Sequence, residues 1–154
     1  MIQIEREAPI GADVRQLLGE HLADMFATSP AESVHALDVR QLCEPEISFW
    51  TAREDGGLLG CGALKQLPSR QGEIKSMRTT AGARGRGVAT LLLARIIEAA
   101  RRDGNETVNL ETGTEDYFAP ARRLYSRNGF TDCEPFADYS LDPNSVYMEL
   151  RLVD

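Results

Sequence analysis

The chain is short of the features that announce the commoner chemistries. Its three cysteines, Cys43, Cys61 and Cys133, are odd in number and widely spaced, and no C-x-x-C pair with histidine partners occurs. That removes a disulfide framework and the usual zinc spacing, so three free buried thiols and no metal are expected. No apolar run approaches the ~20 residues needed to span a bilayer, and the first residues carry no basic-then-apolar leader pattern. A soluble, cytoplasmic protein is therefore expected. Internal repeats, low-complexity tracts and extended linkers are also missing, which makes residues 1–154 a single domain, long enough to bury its own core.

Positive charge is scarce as well. Seventeen Lys and Arg stand against 24 Asp and Glu, a formal charge of −7, which argues against a nucleic-acid or anionic-membrane surface, since both need a broad positive face. Between Glu73 and Gly87 the sign reverses, with Lys75, Arg78, Arg84 and Arg86 against Glu73 alone. An anionic small ligand would find its countercharge there.

What is present reads as alternating strands and helices. Ile2 to Arg6 alternates as a strand, and Val14, Leu17, Leu18, Leu22, Met25 and Phe26 recur at helical spacing. Ser29-Pro30-Ala31-Glu32 offers a cap, a proline at the first helical position and a capping-box glutamate, so a second, shorter helix is expected to begin there. Glu46–Arg53 and Leu58–Gln66 read as strands joined by a Glu54-Asp55-Gly56-Gly57 hairpin turn, and a third strand spans Glu73–Thr79. Next comes a helix with its apolar face at Val88, Leu91, Leu92, Ile96, Ala99 and Ala100, and with Arg95, Glu98 and Arg102 spaced for ion pairs. Gly104 ends it, and Thr107–Thr112 supplies a strand parallel to its predecessor. A helix over Tyr117–Asn128 is closed by Gly129, then Phe130 enters a short strand and Val146–Leu152 a terminal one. The expected class is α/β, a mixed α+β sheet with helices on both faces.

The strand, glycine-bearing loop and helix start between Glu73 and Ala89 carry the first chemical signal. Glycines at 85 and 87 let the backbone approach a ligand, and the free N–H groups and positive dipole end of the following helix favour phosphate oxygens. Two commoner phosphate loops are excluded directly. No G-K-[ST] occurs, so a Walker loop is absent, and Thr90 stands where a G-x-G-x-x-G counted from Gly85 needs its last glycine.

Arg84-Gly85-Arg86-Gly87-Val88-Ala89 resembles the [Q/R]-x-x-G-x-[G/A] signature of the GNAT family of N-acetyltransferases, and Ala121-Arg122-Arg123-Leu124-Tyr125-Ser126-Arg127-Asn128-Gly129-Phe130 resembles its A-x-x-L-Y-x-x-x-G-F motif. The two motifs in order span residues 73–130 and are more specific together than apart. The resemblance implies a splayed sheet with acetyl-CoA in its opening as co-substrate. It further implies that backbone near Met77, Arg78 and Thr79 pairs with the pantetheine arm. Amides from Arg84, Gly85, Arg86, Gly87, Val88, Ala89 and Thr90 would then take the pyrophosphate, with Arg84 and Arg86 adding charge. Phe118 occupies the place of an asparagine common in the family, three residues before Ala121, so neighbouring backbone or Arg122 would have to supply that cofactor contact.

The same resemblance makes Tyr125 the candidate general acid for the departing thiolate, because a phenol near pKa ~10 can protonate a thiolate of about 8.5 or higher. Glu73, eleven residues before Arg84, is the candidate base for the attacking amine. Acceptor recognition would fall to Ser33-Val34-His35-Ala36-Leu37-Asp38, Trp50, Glu111, Asp116, Tyr117 and Tyr139. The expected reaction is direct acetyl transfer to a primary amine of a small molecule. A peptide or protein amine, and a non-catalytic acyl-CoA-binding or sensor domain, are the alternatives. An exposed terminal strand would allow a homodimer.

Overall fold

The hydrophobic patterns resolve into one mixed sheet in the computed structural model, which describes residues 1–153. Strand β1 (Gln3–Arg6) leads into helix α1 (Ala12–Thr28), a 3-10 turn (Ala31–Ser33) and the short α2 (Val39–Leu42). The meander β2 (Ile47–Glu54), β3 (Gly57–Leu67) and β4 (Gln71–Thr79) follows, then α3 (Val88–Arg102) and β5 (Thr107–Gly113). A 3-10 turn (Asp116–Phe118), α4 (Ala119–Arg127), β6 (Thr131–Asp132) and β7 (Ser145–Arg151) complete the chain. The strand order is β1-β2-β3-β4-β5-β7-β6, and the pair joined by the α3 crossover, β4 with β5, is parallel as expected. Asp55 and Gly56 take φ of +50° and +82° at the β2–β3 turn, the two positive values that a tight hairpin requires.

Strands β4 and β5 part company early. Only Gln71–Thr107, Gly72–Val108 and Glu73–Asn109 face each other, after which β4 continues to Thr79 and β5 to Gly113 unpaired. The cause is local. Opposite Gly62 of β3, strand β4 contributes both Ser76 and Met77, and Ser76 takes φ +56°. One extra residue bends a strand and sharpens its twist, while β5 stays zipped to β7 from Thr107–Arg151 to Gly113–Ser145. The sheet opens into a V.

Strand alternation divides the core between the two faces. Trp50 and Ala52 pack with Leu92, Leu93, Ile96 and Ala100 of α3 and with Leu124 and Tyr125 of α4, whereas Phe49, Cys61 and Ala63 pack with Val14, Leu17 and Leu18 of α1 and Leu42 of α2. A smaller cluster, Leu67, Phe136 and Tyr147 with Tyr139, sits under the segment between β6 and β7. No helix among the described residues is long and apolar enough to cross a membrane.

Four expectations are corrected. The helix expected from Ser29 is a single 3-10 turn. Ser29 instead closes α1, its N–H donating to the Met25 carbonyl at 3.0 Å, and the Ser33 hydroxyl donates to Asp142 Oδ2 at 2.6 Å, which holds the chain extended from Val34 onward. The capping box lies further on, where Asp38 and Gln41 exchange side-chain bonds of 2.9 Å to start α2. The terminal strand β7 is not a fully exposed edge, because β5 lies along one side and Thr131 and Asp132 of β6 pair with Glu149 and Met148 on the other. Cys43 is exposed at the end of α2 rather than buried. Within the helices, Leu91 and Phe26 face solvent, and Leu93 takes the core place on α3, because α3 turns its Leu92–Leu93–Ile96 face to the sheet.

Candidate active site

The V between β4 and β5 holds a cleft of about 450 Å³. Glu73 to Thr79 form one wall and Leu110 to Gly113 the other, with α1, the Ser33–Ala36 segment, Tyr125 and Tyr139 closing the sides. Past Glu73 the β5-facing backbone of β4 has no strand partner. Such an edge is a template for an extended ligand to add to.

At the open end, Arg84 lines the cleft and the glycine loop follows. Gly85 and Gly87 take φ of +82° and +79°, with no atom within 4 Å of an added Cβ, so left-handed backbone rather than crowding demands glycine there. Helix α3 makes its first bond from the Leu91 N–H to the Gly87 carbonyl at 3.1 Å, and the preceding N–H groups lack intrahelical partners. Fifteen residues of helix dipole stand behind them. This is a cradle for a phosphate-bearing group.

The basic residues divide by their contacts. Arg78 donates to Tyr117 Oη at 3.1 Å and pairs with Asp24 Oδ2 at 2.7 Å, and Tyr117 donates to the same oxygen at 3.2 Å. Those bonds tie β4, α1 and the turn after β5 together. Arg86 reaches Glu54 on the β2–β3 hairpin at 2.8 Å and does not line the cleft. Arg122 donates to the carbonyls of Gly113 and Glu115 at 2.6 and 3.1 Å, so its guanidinium braces the turn after β5. Phe118 is buried on the cleft wall, its ring edge-on to Tyr117.

The inner end is polar and crowded. Glu73 is 3% exposed, and its Oε2 accepts from Tyr139 at 2.5 Å and from Lys75 at 3.2 Å. Lys75 also donates to the His35 carbonyl at 3.0 Å and to Tyr139 Oη at 2.9 Å. Burial, and then the Glu73 charge, push the Tyr139 phenol upward. Burial and the Lys75 charge hold His35 below the ordinary imidazole range. Across the cleft, burial lifts the Glu111 carboxyl to about 7, with the Ser145 hydroxyl and Lys75 drawing it down. Tyr125 lies on α4 against Phe130, and burial alone pushes its phenol upward.

Of the residues singled out from sequence, Glu73, Met77, Arg78, Thr79, Arg84 and Tyr125 meet in the cleft, as do Ser33 to Ala36, Glu111, Tyr117 and Tyr139. Gly85 to Thr90 lie in the adjoining cradle. Trp50 is a core residue, Asp38 caps α2, and Leu37 and Asp116 do not line the cleft. Sequence reading missed His21, which with Met25 stands at i, i+4 spacing on the cleft side of α1, and Ser29, which closes that helix. The signal was that spacing, with histidine inside an otherwise apolar stripe. His21 Nδ1 and Arg78 Nε are buried without hydrogen-bond partners, and burial followed by the Arg78 charge pushes the imidazole down to about 4.

Comparison with known proteins agrees with this geometry. The chain is 54% identical to YsnE of Bacillus subtilis, described as an uncharacterized N-acetyltransferase, over 92% of this chain and 94% of the relative. It is 40% identical to an IAA acetyltransferase of Azospirillum brasilense over 98% of both. Its backbone matches the crystal structure of a Klebsiella pneumoniae protein assigned to the acyl-CoA N-acyltransferases, with a TM-score of 0.81, 29% identity and 99% of both chains covered. The model of the Acetyltransferase (GNAT) family matches residues 14–130. The chain belongs to the GNAT family and is an acetyl-CoA-dependent N-acetyltransferase.

Proposed function

We propose that this enzyme transfers acetyl from acetyl-CoA directly to a primary amine of a small molecule, both substrates being bound together. The observation that carries the proposal is one cleft that runs from Arg84, at the edge of the glycine cradle, along the unpaired β4 edge to a polar inner end. Backbone at Met77, Arg78 and Thr79 holds the pantetheine arm as an added strand. Amides of Gly85 to Thr90 hold the pyrophosphate, and Arg84 adds charge. Arg86 would join them by leaving Glu54, a pair on a side chain 42% exposed and therefore cheap to break. Arg122 acts at one remove by fixing the Gly113 turn.

Tyr125 hands its proton to the departing sulfur. The surroundings that raise its phenol raise a thiol in the same way, as burial pushes the Cys61 thiol up to about 12 within this chain. Proton transfer therefore stays close to matched. Glu73 organises the inner end through Lys75 and Tyr139.

A small acceptor is favoured because Ser33 and Asp142 latch the segment after α1 to the segment before β7, which narrows the inner end. The Azospirillum relative, an IAA acetyltransferase, supports the same reading. The test is acetyl-CoA-dependent thiol release over amino acids, polyamines, aminoglycosides and peptides. Acceptor-dependent release with a small amine is expected. Acetyl-CoA binding by titration calorimetry with no acceptor-dependent release would make the chain a binding module instead.

A further inference from the structure

The inner end of the cleft contains one carboxylate whose bonding is not already spent. Glu73 accepts from Lys75 and Tyr139, and the three protons of Lys75 go to Glu73, Tyr139 and the His35 carbonyl. Asp142 accepts from the Ser33 hydroxyl and the Asn144 N–H. Glu111 lies two residues beyond the last β4–β5 pair, opposite Tyr147 of β7, lines the cleft, and has no ion pair among the described residues. A half-buried carboxylate with the neutral Ser145 hydroxyl beside it and no charged partner is completed by a cation. Resting on the acetyltransferase reading, we infer that Glu111 docks the ammonium of the acceptor and takes its proton, and that the acceptor is a cationic amine with no carboxylate beside the amino group.

The second half of the inference follows from what the inner end lacks. Lys75 has no proton to spare for an acceptor carboxylate, and the arginines of the cleft wall are Arg78, tied to Asp24 and Tyr117, and Arg84 beside the cradle. An α-amino acid would bring a further negative charge to the three carboxylates Glu111, Glu73 and Asp142. An amine without that group meets the Glu111 carboxylate, a Lys75 ammonium already paired with Glu73, and the aromatic rings of His35 and Tyr139, which stand edge to face at 4.8 Å.

The groups facing Glu111 are Ser145 and Tyr147 from β7, Glu73 and Lys75 from β4, and Asp142 and Tyr139 from the segment before β7. Burial outweighs them and sets the carboxyl to about 7, a value suited to a base at neutral pH.

The proton balance closes. The Glu111 carboxylate removes a proton from the ammonium, and the freed nitrogen pair forms the N–C bond at the acetyl carbonyl. The C–S pair leaves with sulfur, which takes the Tyr125 proton. Tyr125 regains one from the new amide nitrogen, and Glu111 releases its own to solvent. Ammonium and thioester become amide, thiol and one proton.

The experiment pairs amines with their carboxylated counterparts, phenethylamine with phenylalanine and cadaverine with lysine, and compares wild type with Glu111→Gln. Turnover is expected with the amines over the amino acids. In the variant, kcat/KM at pH 7 should fall about 10²-fold and the acid limb near 7 should vanish, while acetyl-CoA affinity by calorimetry holds. The defect should shrink for fluorinated ethylamines, whose ammonium loses its proton unaided. Glu111→Asp, which keeps a carboxylate, should retain the acid limb at reduced rate and covers the case in which Glu111→Gln misfolds. Preference for the amino acids, or an acid limb that survives Glu111→Gln, overturns the inference. Wild type that binds no acetyl-CoA overturns the acetyltransferase reading itself.

Discussion

Lys75 holds its ammonium 3.2 Å from Glu73 Oε2 on one face of β4, with the two side chains 10% and 3% exposed. Removing one partner of such a pair strands a buried charge, whereas removing both leaves none. Lys75→Met is therefore expected to destabilise the fold by about 3–5 kcal/mol. The double variant Lys75→Met/Glu73→Gln should recover most of that loss. Urea denaturation of the single and double variants measures it, and equal losses would show that the two side chains act independently.

Tyr125→Phe deletes a hydroxyl whose ionisation only burial perturbs, so the folded state loses little, under ~1.5 kcal/mol. Turnover should fall about 10²-fold or more with acetyl-CoA affinity retained. Because the phenol is pushed upward, wild type should show no basic limb attributable to Tyr125 in the ordinary assay range. Wild-type turnover in the variant would remove Tyr125 from the proton path.

Gly87 sits at φ +79° immediately before α3. Gly87→Ala strains that backbone by about 1–2 kcal/mol, and relaxing the strain turns the first N–H groups of α3 away from the pyrophosphate. Thermal denaturation should show the loss, and calorimetry an acetyl-CoA Kd raised several-fold. An unchanged Kd would place the anion site elsewhere.

Stability should vary with pH in two opposing windows. Glu111 is raised from 4.5 to about 7 on folding, so its contribution is present below the lower value and lost as pH rises through the upper one. His21 is lowered from 6.5 to about 4, so its contribution is present above 6.5 and lost as pH falls through 4. Glu111→Gln should raise Tm above wild type in mildly alkaline buffer, with the difference fading toward pH 4.5. His21→Phe should flatten the loss between pH 6.5 and 4. Parallel Tm profiles for wild type and both variants would refute the assignment.

Much of this was legible in the chain because it is local. Period-two and period-3.6 spacing set β2, β3, α3 and β5, and Gly104 and Gly129 follow their helices as expected, both with left-handed backbone at φ +81° and +95°. The Ser29 capping signal failed because a cap marks a start without supplying an apolar face, and the Ser33–Asp142 bond reaches across 109 positions. Arg86 and Arg122 show the same limit. Charge beside a motif says nothing about a partner on the β2–β3 hairpin or the carbonyls of a turn.

The sequence by itself determined the cradle and its helix, since glycine backbone freedom and helix dipoles belong to the segment that carries them. It also determined the pairing of β4 with β5, because a fifteen-residue crossover helix permits a parallel neighbour. Only the tertiary structure decided which carboxylate is committed and which is open. Glu73 and Glu111 are the same residue type on neighbouring strands. Lys75, Tyr139 and the bulge at Ser76 fix one and expose the other, and those contacts exist only once the V has opened.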